Sequence, residues 1–266
     1  MLWARNFDGG SPMVLAIDIG NTNIAIGGFL GDELCFVARI STDAKKTEDE
    51  YAAKILSALS LYNIDRSAIH GAIVSSVVPT LNRVMKAAIS RVYGIEPLFV
   101  APGIKTGINI KCDNPSSVGA DIISACVAAR YLYGAPALVV DMGTATKMSV
   151  VDKSGAFIGV SIMPGVMMGL NGLSNGTAQL PQVSLDPPPS VIGKNTADCM
   201  KSGIVFGNAA MIDGMIDRFI EEYGRELPIY ATGGLASAII CHCKHKIVQD
   251  ENMVLKGLNI IYKNNV

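Results

Sequence analysis

Apolar positions recur in two rhythms along this chain, and their alternation predicts its elements. Short, near-continuous apolar runs bounded by turn residues mark buried strands at 13–19, 24–29, 33–40, 72–77 and 97–100. Between them, 47–62 carries Tyr51, Ile55, Leu59 and Tyr62 at helical spacing on one face, and 80–92 is a second amphipathic helix. Thr47 is the expected N-cap of the first helix, with Glu50 as its capping-box partner. A loop rich in Gly, Asn and Pro follows at 103–117. The rhythm then restarts with a helix at 121–133, strands at 137–141, 147–151 and 156–161, and a helix at 164–173. A long helical stretch at 196–223, a strand at 229–232 and a terminal helix at 253–262 complete it. Gly203 or Gly207 is a candidate break in the long helix. Pro187-Pro188-Pro189 keeps 182–195 a loop, because proline cannot continue a helix or a central strand.

Strand, strand, strand, helix, strand, helix thus occurs twice. The pattern predicts an α/β fold with mixed sheets flanked by helices, divided into 13–118 and 119–266. It resembles the duplicated fold of actin-like ATPases and sugar kinases, which implies a nucleotide in the cleft between the two halves. Residues 1–12 read as a polar leader. They lack the apolar core of a secretory signal and stand apart from the fold.

Composition narrows the partners. The chain has 266 residues, 50% hydrophobic and 17% charged, enough to bury a sizeable core. A net charge of −1 with no basic block points away from nucleic acid and from anionic membranes. The chain has no uninterrupted apolar run of about 18 residues, so no membrane-spanning helix is expected. With no export signal, the reducing cytoplasm is the expected location, and the six cysteines are expected to be free thiols. The cluster Cys241-His242-Cys243-Lys244-His245 invites a metal reading. Its C-x-C spacing departs from the usual zinc patterns and no second cysteine pair follows, which favours a loop or helix end.

Two segments carry the chemistry. Residues 15–23 read LAIDIGNTN and 138–146 read LVVDMGTAT. Each is a buried strand run ending in Asp, then Gly, then a Thr-bearing turn. Such an aspartate, with backbone N–H groups in the turn beyond it, suits Mg²⁺ and phosphate. Asp18 would hold Mg²⁺ through water, because Mg²⁺ sheds its waters reluctantly. Gly20, Asn21, Thr22 and Asn23 would place donors around the β- and γ-phosphates. One copy alone reads equally as a hairpin with a polar turn; the echo at Asp141–Thr146 tells against that. Gly233-Gly234 follows a strand and opens a helix, where glycines let backbone lie against an adenine or its phosphates; Gly pairs also make ordinary turns. Asp121, at a loop-to-helix junction, is placed to accept a hydroxyl proton. It is equally a preferred helix N-cap, and spacing alone favours the cap.

The chain resembles the type III pantothenate kinases from Met13 to Asn264. The shared motifs are AIDIGNTN, TEDEY at 47–51, SSVVP at 75–79, LFVAPGIKTG at 98–107 and NPSSVGAD at 114–121. They continue with VVDMGTAT, MPG at 163–165, VIGKNT at 191–196, KSGIVFG at 201–207, ATGGLA at 231–236 and LKGLNIIYKNN at 255–265. The resemblance implies ATP-dependent phosphorylation of pantothenate to 4′-phosphopantothenate, the first step toward coenzyme A, by a homodimer that uses K⁺ or NH₄⁺. It implies nucleotide contacts from Asp18, Ile19, Gly20, Asn21, Thr22, Asn23, Ile24, Ala25 and Thr144. It makes Asp121 the proton acceptor and Asp141 the ligand of the monovalent cation. Gly119, Ala120, Asp121 and Thr196 would bind pantothenate.

The chain departs from the family at particular places. The family's Arg after the catalytic Asp is Ile122, and its Asn three residues later is Ala125. Lys147 stands where a second Thr usually follows Thr146, and Val160 replaces a Gly. Most ATP-side motifs persist while acceptor-side motifs have changed. Losing a charged contact to a carboxylate removes ~1.5–3 kcal/mol, tenfold to more than a hundredfold in affinity. Lys147 lies across a tight hairpin from Asp141, where its ammonium could take the place of K⁺; pointing to solvent is the other reading. A kinase-like paralogue with another hydroxyl acceptor, or a nucleotide-binding regulatory protein with little turnover, are the alternative functions.

Overall fold

The computed structural model describes residues 12–266, so the leader at 1–12 lies outside the described residues apart from Pro12. By packing, the chain divides into two compact units. The first is formed by the chain up to Ile108, by Asn114–Ala128 and by Val254–Val266; the second by Asn109–Asp113 and Ala129–Met253. The repeat in the sequence changes over at 118/119, but packing gives the helix that begins at Ala120 and the last helix to the first unit.

The first unit is built on β1 (Met13–Ile19), β2 (Asn23–Leu30), β3 (Glu33–Ser41), β4 (Ile69–Ser76) and β5 (Leu98–Phe99), in the order β3-β2-β1-β4-β5. The hairpin and meander are antiparallel, while β4 runs parallel to β1 and β5 parallel to β4. Alternation along β1 sends Met13, Leu15, Ile17 and Ile19 to one face. There they pack with Tyr51, Ile55 and Leu59 of α1 (Glu48–Leu61) and Leu81, Met85 and Ile89 of α2 (Pro79–Tyr93). The capping box of α1 forms: Glu50 N–H donates to Thr47 Oγ1, and Thr47 N–H donates to Glu50 Oε2 at 2.9 Å. The other face of the sheet takes α3 (Ala120–Ala128) and α7 (Met253–Lys263). α3 lies on β4, and Gly71 of β4 leaves room for the phenolic end of Tyr262, which a Cβ there would strike. Gly257 lets α7 approach the backbone of Ser124, where a Cβ would collide with its carbonyl.

The second unit repeats the plan. β6 (Ala137–Met142), β7 (Ala145–Val151), β8 (Phe157–Pro164), β9 (Ile229–Thr232) and β10 (Val248–Gln249) form a sheet ordered β10-β9-β6-β7-β8. Read from the other edge, this is the first sheet strand for strand, with the same parallel and antiparallel pairings. Leu138, Val140, Met142 and Met148 face Val166 and Leu170 of α4 (Val166–Gly176), Ile204, Ile212 and Ile216 of α5 (Thr196–Tyr223) and Ile239 of α6 (Ala236–Ile240).

Three expectations change. The long helix α5 runs unbroken for 28 residues through Gly203 and Gly207. A helical glycine costs ~1 kcal/mol relative to Ala, and burial of Met200, Ile204, Val205, Ile212 and Ile216 outweighs it. The helix expected at 164–173 starts at Val166, because Met163 and Pro164 still pair with Thr146 and Ala145 at the end of β8. The helix expected at 121–133 is α-helical only to Ala128 and widens to a π-helical turn at Ala129–Tyr133. Strand β10 is too short to show a period in sequence.

Candidate functional site

In the first unit the β1–β2 hairpin pairs Ile19 with Ile24 and Asp18 with Ala25, so 20–23 form the turn. Gly20 N–H donates to Asn23 O at 3.0 Å, and a Cβ on Gly20 would press on that same oxygen at 3.0 Å. Strand β3 closes the turn from the side. Thr42 donates through Oγ1 to Gly20 O at 2.7 Å and through its N–H to Thr22 O at 3.0 Å. Asn21, Thr22 and Asn23 are exposed. Ile19 and Ile24 turn fully buried side chains into the core, so any contact they make with a ligand is through backbone.

Asp18 points to the face opposite that core, the face on which α3 lies. Ser75, its neighbour on β4, is buried and donates to Asp18 Oδ1 at 2.6 Å. In sequence Ser75 is marked only as a hydroxyl inside an otherwise apolar strand run. The half-buried Asp18 carboxylate, braced by a neutral hydroxyl beside an exposed polar turn, fits a hydrated divalent metal.

Asp121 lies in the first turn of α3 and is nearly buried. The helix starts at Ala120, so Asp121 is inside it and is not the N-cap. Its Oδ1 accepts the otherwise unsatisfied Ile122 N–H at 2.8 Å. Gly119 makes room for it: a Cβ there would meet Asp121 Oδ1 at 2.5 Å. Ala120 anchors the turn by accepting Ser124 Oγ at 2.7 Å. Ile122 is buried beside Gly119, and Ala125 is buried one turn on. One sheet face therefore carries both Asp18 and the helix that holds Asp121.

In the second unit Met142 pairs with Thr146 and Asp141 with Lys147, so the turn is 143–145. Thr144 is exposed at its tip. The turn is seated on two glycines. A Cβ on Gly165 would run into Thr144 O, and one on Gly233 would meet Met142 O at 2.5 Å. Gly233 also has a φ of 95°, a left-handed backbone that L side chains rarely adopt. Gly234 is exposed and leads to α6, a helix of only five residues. Lys147 Nζ lies 2.8 Å from Asp141 Oδ2, with each side chain 14% exposed, so Lys147 does not point to solvent. Beyond Asp141 on β9 stands Thr232, buried and uncharged. Val160 pairs with Ser149 one step along the sheet. Thr196 is the exposed first residue of α5, whose cap is Asn195 accepting Asp198 N–H at 2.9 Å.

The segment 241–245 is organised by a carboxylate. Buried Asp213 accepts the backbone N–H of Lys244 at 2.8 Å and of His245 at 3.2 Å. Burial, with Asp213 and Cys241 nearby, pushes the Cys243 thiol up to about 12, so it is a neutral thiol at neutral pH. Among the described residues no helix is long and apolar enough to cross a membrane.

Comparison with known proteins identifies the family. The chain is 42% identical over 253 residues to a type III pantothenate kinase of Brevibacillus brevis, covering 95% of this chain and 99% of that one. It is also 42% identical over 255 residues to one of Moorella thermoacetica, covering 95% and 100%. Among solved structures, the inorganic polyphosphate/ATP-glucomannokinase of an Arthrobacter species superposes with a TM-score of 0.51 at 16% identity over 95% of this chain and 99% of that one. That level of identity speaks to fold alone, and it is the actin-like, sugar-kinase fold. A family model described as type III pantothenate kinase matches residues 14–218. The chain belongs to the type III pantothenate kinase family.

Proposed function

We propose that the protein transfers the γ-phosphoryl group of ATP to the hydroxyl of pantothenate, forming 4′-phosphopantothenate, the first step toward coenzyme A. One observation carries the reading: the family match at 14–218 spans both acid-ended hairpins and Asp121 together. Asp121 takes the hydroxyl proton as that oxygen attacks the γ-phosphorus, and the bond to the β–γ bridging oxygen breaks to release ADP. Asp18, braced by Ser75, would hold Mg²⁺ through water. When bound, the metal would supply neutralisation of charge on the phosphate oxygens. Gly20, Asn21, Thr22 and Asn23, with the backbone of Ile19, Ile24 and Ala25, serve the phosphates, as does Thr144, while Gly233 and Gly234 serve the adenine or its phosphates. Acceptor binding is assigned to Gly119, Ala120, Ile122 and Thr196. Positioning supplies most of the rate, and the exclusion of a Gly119 Cβ is part of that positioning. A homodimer is the proposed assembly, supported by the exposed apolar side chains Ile162, Met167 and Met168.

The test incubates the purified protein with Mg-ATP and pantothenate and follows phosphopantothenate by mass. Wild type is expected to form it and Asp121→Asn to form none. Equal product from both proteins removes Asp121 from its role; product from neither removes the reading. A second reading has one observation in its favour. Ile122 buries an apolar side chain beside Asp121 where the family has Arg, which suits an acceptor without a carboxylate. Faster turnover of an uncharged pantothenamide than of pantothenate in the same assay would select it.

A further inference from the structure

The second hairpin carries its own cation. Asp141 and Lys147 are direct cross-strand partners, and their charged groups lie 2.8 Å apart. Each side chain is 14% exposed, so solvent and salt screen the pair far less than a surface pair. The sheet neighbours on the same face, Ser149 and Thr232, are buried and uncharged, so they add no second negative charge to hold another cation. A K⁺ or NH₄⁺ ion ligated by this carboxylate would sit within a few ångströms of an ammonium, and like charges at that range repel strongly. The residues present do not fit the monovalent cation that the family resemblance implies at Asp141.

We propose that the Lys147 ammonium permanently occupies the monovalent-cation position at Asp141, so that this protein binds no K⁺ or NH₄⁺ there and works without either. The covalently held charge fixes the base of the 143–145 turn at any potassium concentration. A lysine has the reach because Lys147 leaves the strand directly opposite Asp141, one residue pair below the turn. The catalytic consequence rests on the kinase reading; the binding consequence does not.

Two readouts separate these. Calorimetric unfolding is recorded in choline chloride and in KCl or NH₄Cl at equal ionic strength. Wild type is expected to melt within about 1 °C in all three. Lys147→Thr exposes the carboxylate and is expected to gain about 2–4 °C or more from K⁺ or NH₄⁺ over choline. In the mass assay, wild type is expected to turn over equally in choline and KCl. Lys147→Thr is expected to fall about tenfold in choline and to recover with K⁺. A K⁺-dependent rise in the wild-type melting temperature, or strong K⁺ stimulation of wild-type turnover, overturns the proposal. So does a folded Lys147→Thr protein that responds to K⁺ no more than wild type. Lys147→Met, which keeps the stem and removes the charge, replaces it where Lys147→Thr does not fold. Absence of pantothenate turnover in every buffer defeats the kinase reading alone, because the melting arms still decide the cation question.

Discussion

The two hairpins share a register and treat their acids differently. Asp18 stands across from Ala25 and beside Ser75; Asp141 stands across from Lys147 and beside Thr232. A hydroxyl braces the first carboxylate, while an ammonium neutralises the second. The turns differ as well. The first, 20–23, is tied by hydrogen bonds from Thr42. The second, 143–145, is one residue shorter and is seated by backbone contact over Gly165 and Gly233. The duplicated topology sets where an acid stands, and the residue one strand over sets what charge it presents. Copies of one motif thus diverge in electrostatics while keeping every strand pairing.

The largest expected effects come from treating the two acids alike. Asp141→Asn leaves the mostly buried Lys147 ammonium without its carboxylate, and breaking such a pair costs about 3–5 kcal/mol. Asp18→Asn keeps the shape and still accepts from Ser75, so stability is expected to change by less than about 1 kcal/mol. Its cost falls on turnover, about 10²–10³-fold, because the charge offered to the metal–triphosphate is gone. Calorimetry and the phosphopantothenate assay on both variants make the test. Two variants with the same profile would show that the hairpins do not differ in the way the register implies.

Gly165→Ala is next. Gly165 has φ −71° and ψ 159°, ordinary for any residue, so the cost is purely the collision of the new methyl with Thr144 O. Overpacking of this kind costs about 1–3 kcal/mol, and it displaces the tip of the second turn. The expected result is a lower melting temperature together with a raised KM for ATP. A variant that loses stability with an unchanged KM would limit Gly165 to structure.

Much of this was legible in the sequence, and the gaps have physical causes. Both hairpins, the capping box at Thr47 and the repeat could be read because apolar period and turn chemistry are local signals. The approach of Lys147 to Asp141 could be read because a tight turn fixes register. Ser75 as the brace of Asp18 and the helix of Asp121 on the same sheet face could not, since the first depends on the parallel pairing of residues 57 positions apart and the second on the packing of that helix against β4. Gly119 gives no sign in sequence that it yields space to a carboxylate two residues on. The unbroken α5 was missed because glycine propensity is a weak force against the burial of a whole helix face.

The smallest effect sharpens the comparison most finely. Thr42→Val removes the hydroxyl that donates to Gly20 O at 2.7 Å and keeps the N–H that donates to Thr22 O at 3.0 Å. A single neutral hydrogen bond contributes about 0.5–1.5 kcal/mol, and Gly20 O beside an exposed turn can turn to water instead. The melting temperature is therefore expected to fall by only about 2–4 °C. ATP affinity is expected to drop less than about tenfold, because the remaining backbone bond still holds the strand end against the turn. A collapse of ATP binding with little change in melting would mean that the hydroxyl orients the phosphate-facing N–H groups directly. The first turn would then be as strictly determined by one side chain as the second is by its two glycines.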